Sequence, residues 1–229
     1  MDEALVTSKK PFSLTFVQYE EGDSLGWICA LLALAPPFAI VSYLSVMLAR
    51  RELHTVSTLV GQLLCVGLNI ILKNVFAESR PDGSDKDDHG MPSNHAQFSF
   101  YFCTYLSLFV LFRVQRNQCG PYMWWKYALV SILMGGAVAV SLSRVYLRYH
   151  TFAQVGVGAV FGTLFAFFWY ALTVQVFMPF LFGRIENMAI CEILYVRDSS
   201  HGGEAFHDVW KEEWKLNRQL LVDRKKKIS

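Results

Sequence analysis

Gln154 to Phe182 reads QVGVGAVFGTLFAFFWYALTVQVFMPFLF, a stretch without a single charged residue. About 20 mostly apolar residues suffice to cross a bilayer as a helix, so this run is long enough to span with tilt. Working outward, the pattern repeats. Met123–Leu142 and Ala96–Phe112 are two further runs, and Thr55–Leu72 is another, ending at Lys73. Leu25–Ala49 is the first, interrupted by Pro36-Pro37, which should kink it because proline lacks a donor and clashes with the preceding turn. Five buried helices of a soluble protein are the competing reading, but uncharged runs of this length read as membrane spans.

Composition agrees. The 229 residues are 53% hydrophobic and only 17% charged, where a soluble domain carries about 25% charged residues. Mean hydropathy is +0.30. The 15% aromatic content excludes disorder for most of the length. A net charge of +2 provides no global basic field, so nucleic acid is not an expected partner. The expected fold class is an all-α polytopic membrane helix bundle of about five spans.

Five spans put the N-terminus and the 74–95 and 143–153 loops on one side. That side holds seven of the 21 Lys and Arg: Lys9, Lys10, Lys73, Arg80, Lys86, Arg144 and Arg148. The other fourteen lie opposite, and the positive-inside tendency makes that side cytosolic. The expected organisation is a lumenal segment 1–24, a transmembrane domain 25–182 and a cytosolic tail 183–229. Residues 1–24 show no signal-peptide core, so the first span is expected to serve as its own insertion signal. Cys29, Cys65 and Cys103 lie in spans, and Cys119 and Cys191 on the cytosolic side. No pair has zinc-site spacing, and small buried hydrophobes are the expectation.

The cation-poor side nevertheless gathers Lys73, Arg80-Pro81, Pro92-Ser93-Asn94-His95 and Ser143-Arg144…His150. Cations at span ends commonly just snorkel to the interface. Three of them with two histidines, on the side that should lose cations, point to a retained function. Phosphoryl transfer suits the set: Arg holds phosphate oxygens with a bidentate fork, helix N-termini add N–H donors, and two histidines can divide attack from leaving-group protonation. Asn94 with Gln97 resembles a capping pair, so Ser93–His95 are expected at a helix start.

Lys73-x6-Arg80-Pro81, Pro92-Ser93-x-His95 and Ser143-Arg144-x5-His150 together resemble the three-part signature of the type 2 phosphatidic acid phosphatase superfamily. Arg51-Glu52-Leu53-His54-Thr55, Gly90-Met91-Pro92-Ser93, Ser143–Leu147 with Tyr149-His150-Thr151, and Val196-Arg197-Asp198-Ser199 resemble its eukaryotic dolichyl diphosphatases. The resemblance implies His150 as nucleophile, forming a phosphohistidine, and His95 as the acid for the leaving oxygen. It implies that Lys73, Arg80 and Arg144 bind the phosphoryl oxygens, with Ser93 and the Asn94 backbone adding donors. It implies no metal and no cofactor, since cations and N–H groups stabilise the charge, and pKa values of His150 and His95 that are pushed apart. The implied substrate is the polyprenyl diphosphate lipid dolichyl diphosphate, hydrolysed to dolichyl phosphate and phosphate at the lumenal face of the endoplasmic reticulum for protein N-glycosylation.

Two positions depart from the superfamily pattern. It often has Gly where Asn94 stands, and Asn tolerates similar backbone conformations. It often has Asp four residues after the nucleophile, where Gln154 stands here. Gln154 shares the His150 face and its amide oxygen can accept from the ring, but it brings no negative charge. Thr151-x-x-Gln154 also reads as a capping box, and both roles stay open. Asp82, Asp85, Asp87, Asp88 and His89 could suggest a metal site but read better as a solvated loop. Arg148 and Tyr149 carry no assigned role. Trp210, Trp214 and Leu221 share one face of a polar tail helix, either resting on the membrane surface or simply amphipathic. Lys226 and Lys227, fourth and third from the end, look like a dilysine retrieval signal; a basic tail near anionic lipid is the alternative.

Overall fold

The computed structural model describes residues 9–12, 17–81, 84, 88–113, 124–196 and 214–220. Five helical stretches are long and apolar enough to cross a membrane: Ser24–Arg50, Leu53–Phe76, Asn94–Phe112, Trp124–Tyr146 and Phe152–Glu186. Their large apolar side chains point outward. Ile70, Ile71, Val75, Ile132, Leu164 and Phe168 are each more than half exposed. A soluble protein does not display apolar surface on this scale, so the membrane reading holds over the soluble one.

The first stretch is two helices. α1 (Ser24–Leu32) is capped by Asp23, whose Oδ1 accepts from the Leu25 N–H at 3.0 Å. α2 (Ala35–Arg50) carries Pro36 and Pro37 in its first turn, where a missing N–H costs nothing. The break therefore falls at Ala33–Leu34, just ahead of the prolines. The N-terminal segment adds an element outside the all-α expectation: strands β1 (Lys9–Phe12) and β2 (Val17–Glu20) pair antiparallel, with Phe12 opposite Val17.

α3 (Leu53–Phe76) ends where Ala77 turns left-handed at φ 47° and its N–H closes on the Lys73 carbonyl at 3.0 Å. Lys73 is thus held in the last turn, and the chain leaves toward Arg80. α4 (Asn94–Phe112) is the central helix: well over half of it is buried, against less than a third of every other span. It lies closest to α6 (Phe152–Leu172). A Cβ on Gly158 would come within 2.6 Å of the Ser93 carbonyl, and one on Gly162 would collide with the Gln97 carbonyl. This G-x-x-x-G stripe lets the two backbones meet.

Side-chain hydrogen bonds tie α3 to both. Trp169 Nε1 donates to the Ser57 carbonyl at 2.8 Å, and Tyr101 Oη to the Thr58 carbonyl at 3.2 Å. Asn69 Nδ2 donates to Gln97 Oε1 at 2.7 Å, while Gln97 Nε2 donates to the Cys65 carbonyl at 2.9 Å. Asn69 lies one helical turn before Lys73, so this buried cluster sets Lys73 beside the start of α4. Gln97 is engaged there and caps nothing; the N-cap of α4 is Ser93, not Asn94, and makes no side-chain cap bond.

α5 (Trp124–Tyr146) packs on α1 and α4. α6 continues through a π-helical stretch, Thr173–Phe182, whose wider turn contains Pro179, into the short α7 (Gly183–Glu186) and α8 (Ala189–Leu194). Cys29, Cys65, Cys103 and Cys191 are free and buried, as small hydrophobes should be. Trp214–Leu220 is helical and exposed, with Arg218 over the Trp214 ring at 4.9 Å. Trp210, Leu221, Lys226, Lys227, Cys119, Asp82, Asp85 and Asp87 lie outside the described residues.

Candidate active site

α5 hands the chain to the site through a tight turn. The Tyr149 and His150 N–H groups both donate to the Arg144 carbonyl, at 3.0 and 3.2 Å, while Arg148 adopts φ 57°. This left-handed residue is the role of Arg148 that its sequence context leaves unassigned. The turn brings Arg144 and His150 together, both almost fully buried. Tyr149 lies beneath: the Arg144 guanidinium sits 4.4 Å from its ring centroid, and its hydroxyl accepts from the Gln18 N–H at 3.0 Å. The N-terminal segment therefore packs at the active-site end.

His150 is held from both sides of its ring. Nδ1 lies 3.3 Å from Gln154 Oε1, and Nε2 lies 3.2 Å from Arg80 Nη1. Because the amide oxygen can only accept, Nδ1 carries the proton and Nε2 keeps its lone pair. Burial, with the charges of Arg80 and Arg144, pushes the His150 pKa down to about 3, against an opposing effect of the Gln154 hydrogen bond. His150 is therefore neutral at physiological pH.

Gln154 makes the contacts of both readings, the capping box and the approach to the His150 ring. Thr151 Oγ1 accepts from the Gln154 N–H at 3.2 Å, and Gln154 Oε1 accepts from the Thr151 N–H at 3.3 Å, which completes the capping box of α6. The same Oε1 faces His150. Its Nε2 donates to Glu78 Oε1 at 2.9 Å and to the Ser79 carbonyl at 2.8 Å. Gly90 presses on this amide from the other side; a Cβ there would come within 2.6 Å of Gln154 Nε2.

The cations converge as well. Arg80 Nη1 donates to the Tyr149 carbonyl at 2.9 Å. Asp88 bridges Lys73 Nζ at 2.6 Å and Arg80 Nη2 at 2.7 Å. Burial opposes ionisation of Asp88, but the Lys73 hydrogen bond and the Arg80 and Lys73 charges outweigh it and hold the carboxyl below its ordinary value. Asp88 is thus an internal anion on two of the three cations. Arg144 Nε and Nη1 and Ser93 Oγ are buried with no hydrogen-bond partner among the described residues. Ser93 is fixed against Gln154 by its own N–H, which donates to the Gln154 carbonyl at 3.0 Å. Asn94 and His95 open α4 immediately after it, both half-buried; Asn94 is helical, so no Gly-like backbone is required of it.

A buried neutral histidine ringed by cations, with orphaned donors on Arg144 and Ser93, fits a tetrahedral oxyanion. The family model for the PAP2 superfamily matches residues 53–177, which contain every one of these groups. The chain belongs to the PAP2 superfamily. It is 39% identical to Dolichyldiphosphatase 1 of Homo sapiens over 203 residues, covering 86% of this chain and 85% of that one. It is 34% identical to Lipid phosphate phosphatase gamma of Arabidopsis thaliana, over 93% of both chains. The crystal structure of a transmembrane PAP2 type phosphatidylglycerolphosphate phosphatase from Bacillus subtilis shares the fold, with a TM-score of 0.56 at 20% identity, covering 66% of this chain and 78% of that one. As a PAP2 enzyme the chain is a phosphohydrolase. Among the described residues, no three His, Cys, Asp or Glu side chains converge as a metal set. Asp88 instead pairs with Lys73 and Arg80 inside the PAP2 site.

Tyr149, Glu78 and Gly90 also contact the groups of this PAP2 site; Gly90 and Tyr149 stand in stretches that carry the resemblance, whereas Glu78 carries no sequence signal. Tyr149 and Glu78 act through partners 69 to 131 residues away.

Proposed function

We propose that this protein hydrolyses dolichyl diphosphate to dolichyl phosphate and inorganic phosphate. The observation that carries the reading is His150, neutral, with Nδ1 tied to Gln154 and Nε2 facing Arg80, beside the unpartnered donors of Arg144 and Ser93. Lys73, Arg80, Arg144, Ser93 and the backbone N–H groups opening at Asn94 take the terminal phosphoryl oxygens, displacing Asp88. His150 Nε2 attacks the terminal phosphorus; the N–P bond forms as the bridging P–O bond breaks. Protonated His95 gives its proton to the leaving dolichyl phosphate. It then takes a proton from water, whose oxygen attacks the phosphohistidine, releasing phosphate and restoring His150. The fixed cations stabilise charge in both steps.

The names of the relatives support the polyprenyl substrate. An apolar groove between α1 and α5, lined by Leu25, Ile28, Leu32, Leu142, Tyr146 and Phe152, borders the same end of the bundle and suits a prenyl chain. The split of Lys and Arg supports placing this end in the lumen of the endoplasmic reticulum and residues 183–229 in the cytosol, the dilysine pair serving retention there. The product rejoins the carrier pool for protein N-glycosylation.

The Arabidopsis relative's name supports a second reading, a broader lipid phosphate phosphatase. Phosphate release by purified protein from dolichyl diphosphate, dolichyl phosphate, phosphatidate and a sphingoid phosphate separates them. The proposal expects diphosphate to lead the panel and H150A to be inactive on it. Equal rates across the panel would favour the broader enzyme, and an active H150A would end the nucleophile assignment.

A further inference from the structure

We infer that Glu78 is the positioning carboxylate of the site, supplying through the Gln154 amide the negative charge that steadies His150 as its ring becomes cationic. The inference rests on the proposed reading of His150 as nucleophile. When Nε2 bonds to phosphorus, Nδ1 keeps its proton, so the phosphorylated ring carries a positive charge. That charge arises beside Lys73, Arg80 and Arg144, all of one sign. Asp88 pairs with Lys73 and Arg80, and Arg80 faces Nε2, so Asp88 lies on the side of the ring that meets phosphorus and not at Nδ1.

Glu78 is placed for the task. Its Oε1 accepts from Gln154 Nε2 at 2.9 Å, and Gln154 Oε1 accepts from His150 Nδ1 at 3.3 Å. The orientation of the amide is settled at both ends: Oε1 also takes the Thr151 N–H, and Nε2 also donates to the Ser79 carbonyl. The chain Nδ1–H···O=C–N–H···carboxylate polarises in one direction, so negative charge at Glu78 is felt at the ring. No proton moves along it. Glu78 is itself clamped, since its carbonyl accepts the Gly90 N–H at 2.7 Å and Gly90 packs on the Gln154 amide.

The Ser79 bond separates charge from structure. In E78Q the new amide oxygen still accepts from Gln154, and Ser79 still anchors Gln154, so a merely structural role predicts near wild-type turnover. Glu78 is exposed and its charge is partly screened, so the charge role predicts a fall in kcat of about 3- to 30-fold, with KM within about twofold because the phosphate-binding cations are untouched. Rapid-quench trapping of phosphoenzyme should show the loss in the phosphorylation step. The exchange variant E78Q/Q154E moves the carboxylate directly against Nδ1, which also favours the imidazolium at rest, so the lost kcat should return only toward higher pH, where His150 is again neutral. Inorganic phosphate binding, measured on every variant, reports whether the site has folded; for a variant that does not bind it, E78D takes over, with kcat expected above that of E78A. Wild-type kcat in E78Q, or no recovery in a phosphate-binding E78Q/Q154E, overturns the inference. Should H150A retain activity, the nucleophile reading falls instead, whatever E78Q does.

Discussion

Replacing Arg144 by Met should raise stability and destroy activity together. Arg144 is 2% exposed, and its Nε and Nη1 have no partner among the described residues. Its guanidinium lies 4.4 Å from the Tyr149 ring centroid, and Arg80 adds a like charge nearby. A buried charge this poorly paired costs several kcal/mol, of which a cation–π contact returns about 0.5–2 kcal/mol. Met keeps the unbranched stem and packs on the same ring. A gain of about 1–3 kcal/mol follows for the empty protein, a rise in melting temperature of about 2–12 °C at this chain length. Activity moves the other way. Two charge-assisted hydrogen bonds to phosphoryl oxygens, at about 1.5–3 kcal/mol each, amount to about 10²- to 10⁴-fold in kcat/KM. Thermal unfolding in detergent, with and without inorganic phosphate, checks the first half and phosphate release the second. Phosphate should stabilise the wild type and leave R144M unmoved. If R144M melts below the wild type, or phosphate protects both equally, Arg144 is structurally paired and the reasoning fails.

Two more outcomes follow from the same geometry. Gly158→Ala puts a methyl group against the Ser93 carbonyl at 2.6 Å and should cost about 1–3 kcal/mol of stability plus most of the activity, while Gly156→Ala, with nothing within 4 Å, should be neutral; melting and turnover of the pair decide it. The depressed pKa of His150, about 3 against an ordinary 6.5, means the unfolded chain takes up a proton that the folded one refuses. Stability from this group is full above pH 6.5 and lost as pH falls toward 3, at up to about 1.4 kcal/mol per pH unit, so H150N should show a shallower pH dependence of unfolding between pH 6 and 4; an unchanged slope would place the titration elsewhere.

What was legible in the chain follows from how strongly each feature is forced. A bilayer demands long apolar helices, so five spans could be read from composition alone, with ends off by only a few residues. The prolines announced a break in the first span but not its place, because proline is welcome in a first turn and the helix simply restarts there. The β1–β2 hairpin went unseen: residues 1–24 are polar and show no alternation that would distinguish a strand. Lys73, Arg80, Ser93, Arg144 and His150 announced themselves by type and by their place on the cation-poor side. Asn94 misled, since Ser93 is the actual N-cap and Gln97 is spent on Asn69 and Cys65. Gln154 was ambiguous because one oxygen performs both suspected roles, and only three-dimensional proximity reveals that they are compatible.

The position of Glu78 shows why such a site cannot be read residue by residue. In a simple triad the carboxylate touches the histidine and stands at a fixed spacing from it. Here the contact residue is neutral and the charge sits 76 residues away in sequence, delivered by the turn that ends α3. A neutral Gln against Nδ1 lets burial and the cations keep the pKa of His150 low, so the ring stays unprotonated among three positive charges. A carboxylate in direct contact would favour the imidazolium in the empty site as well. By the inferred scheme, placing the charge one amide further out keeps the ring unprotonated at rest. Support then reaches it only as positive charge develops during phosphorylation.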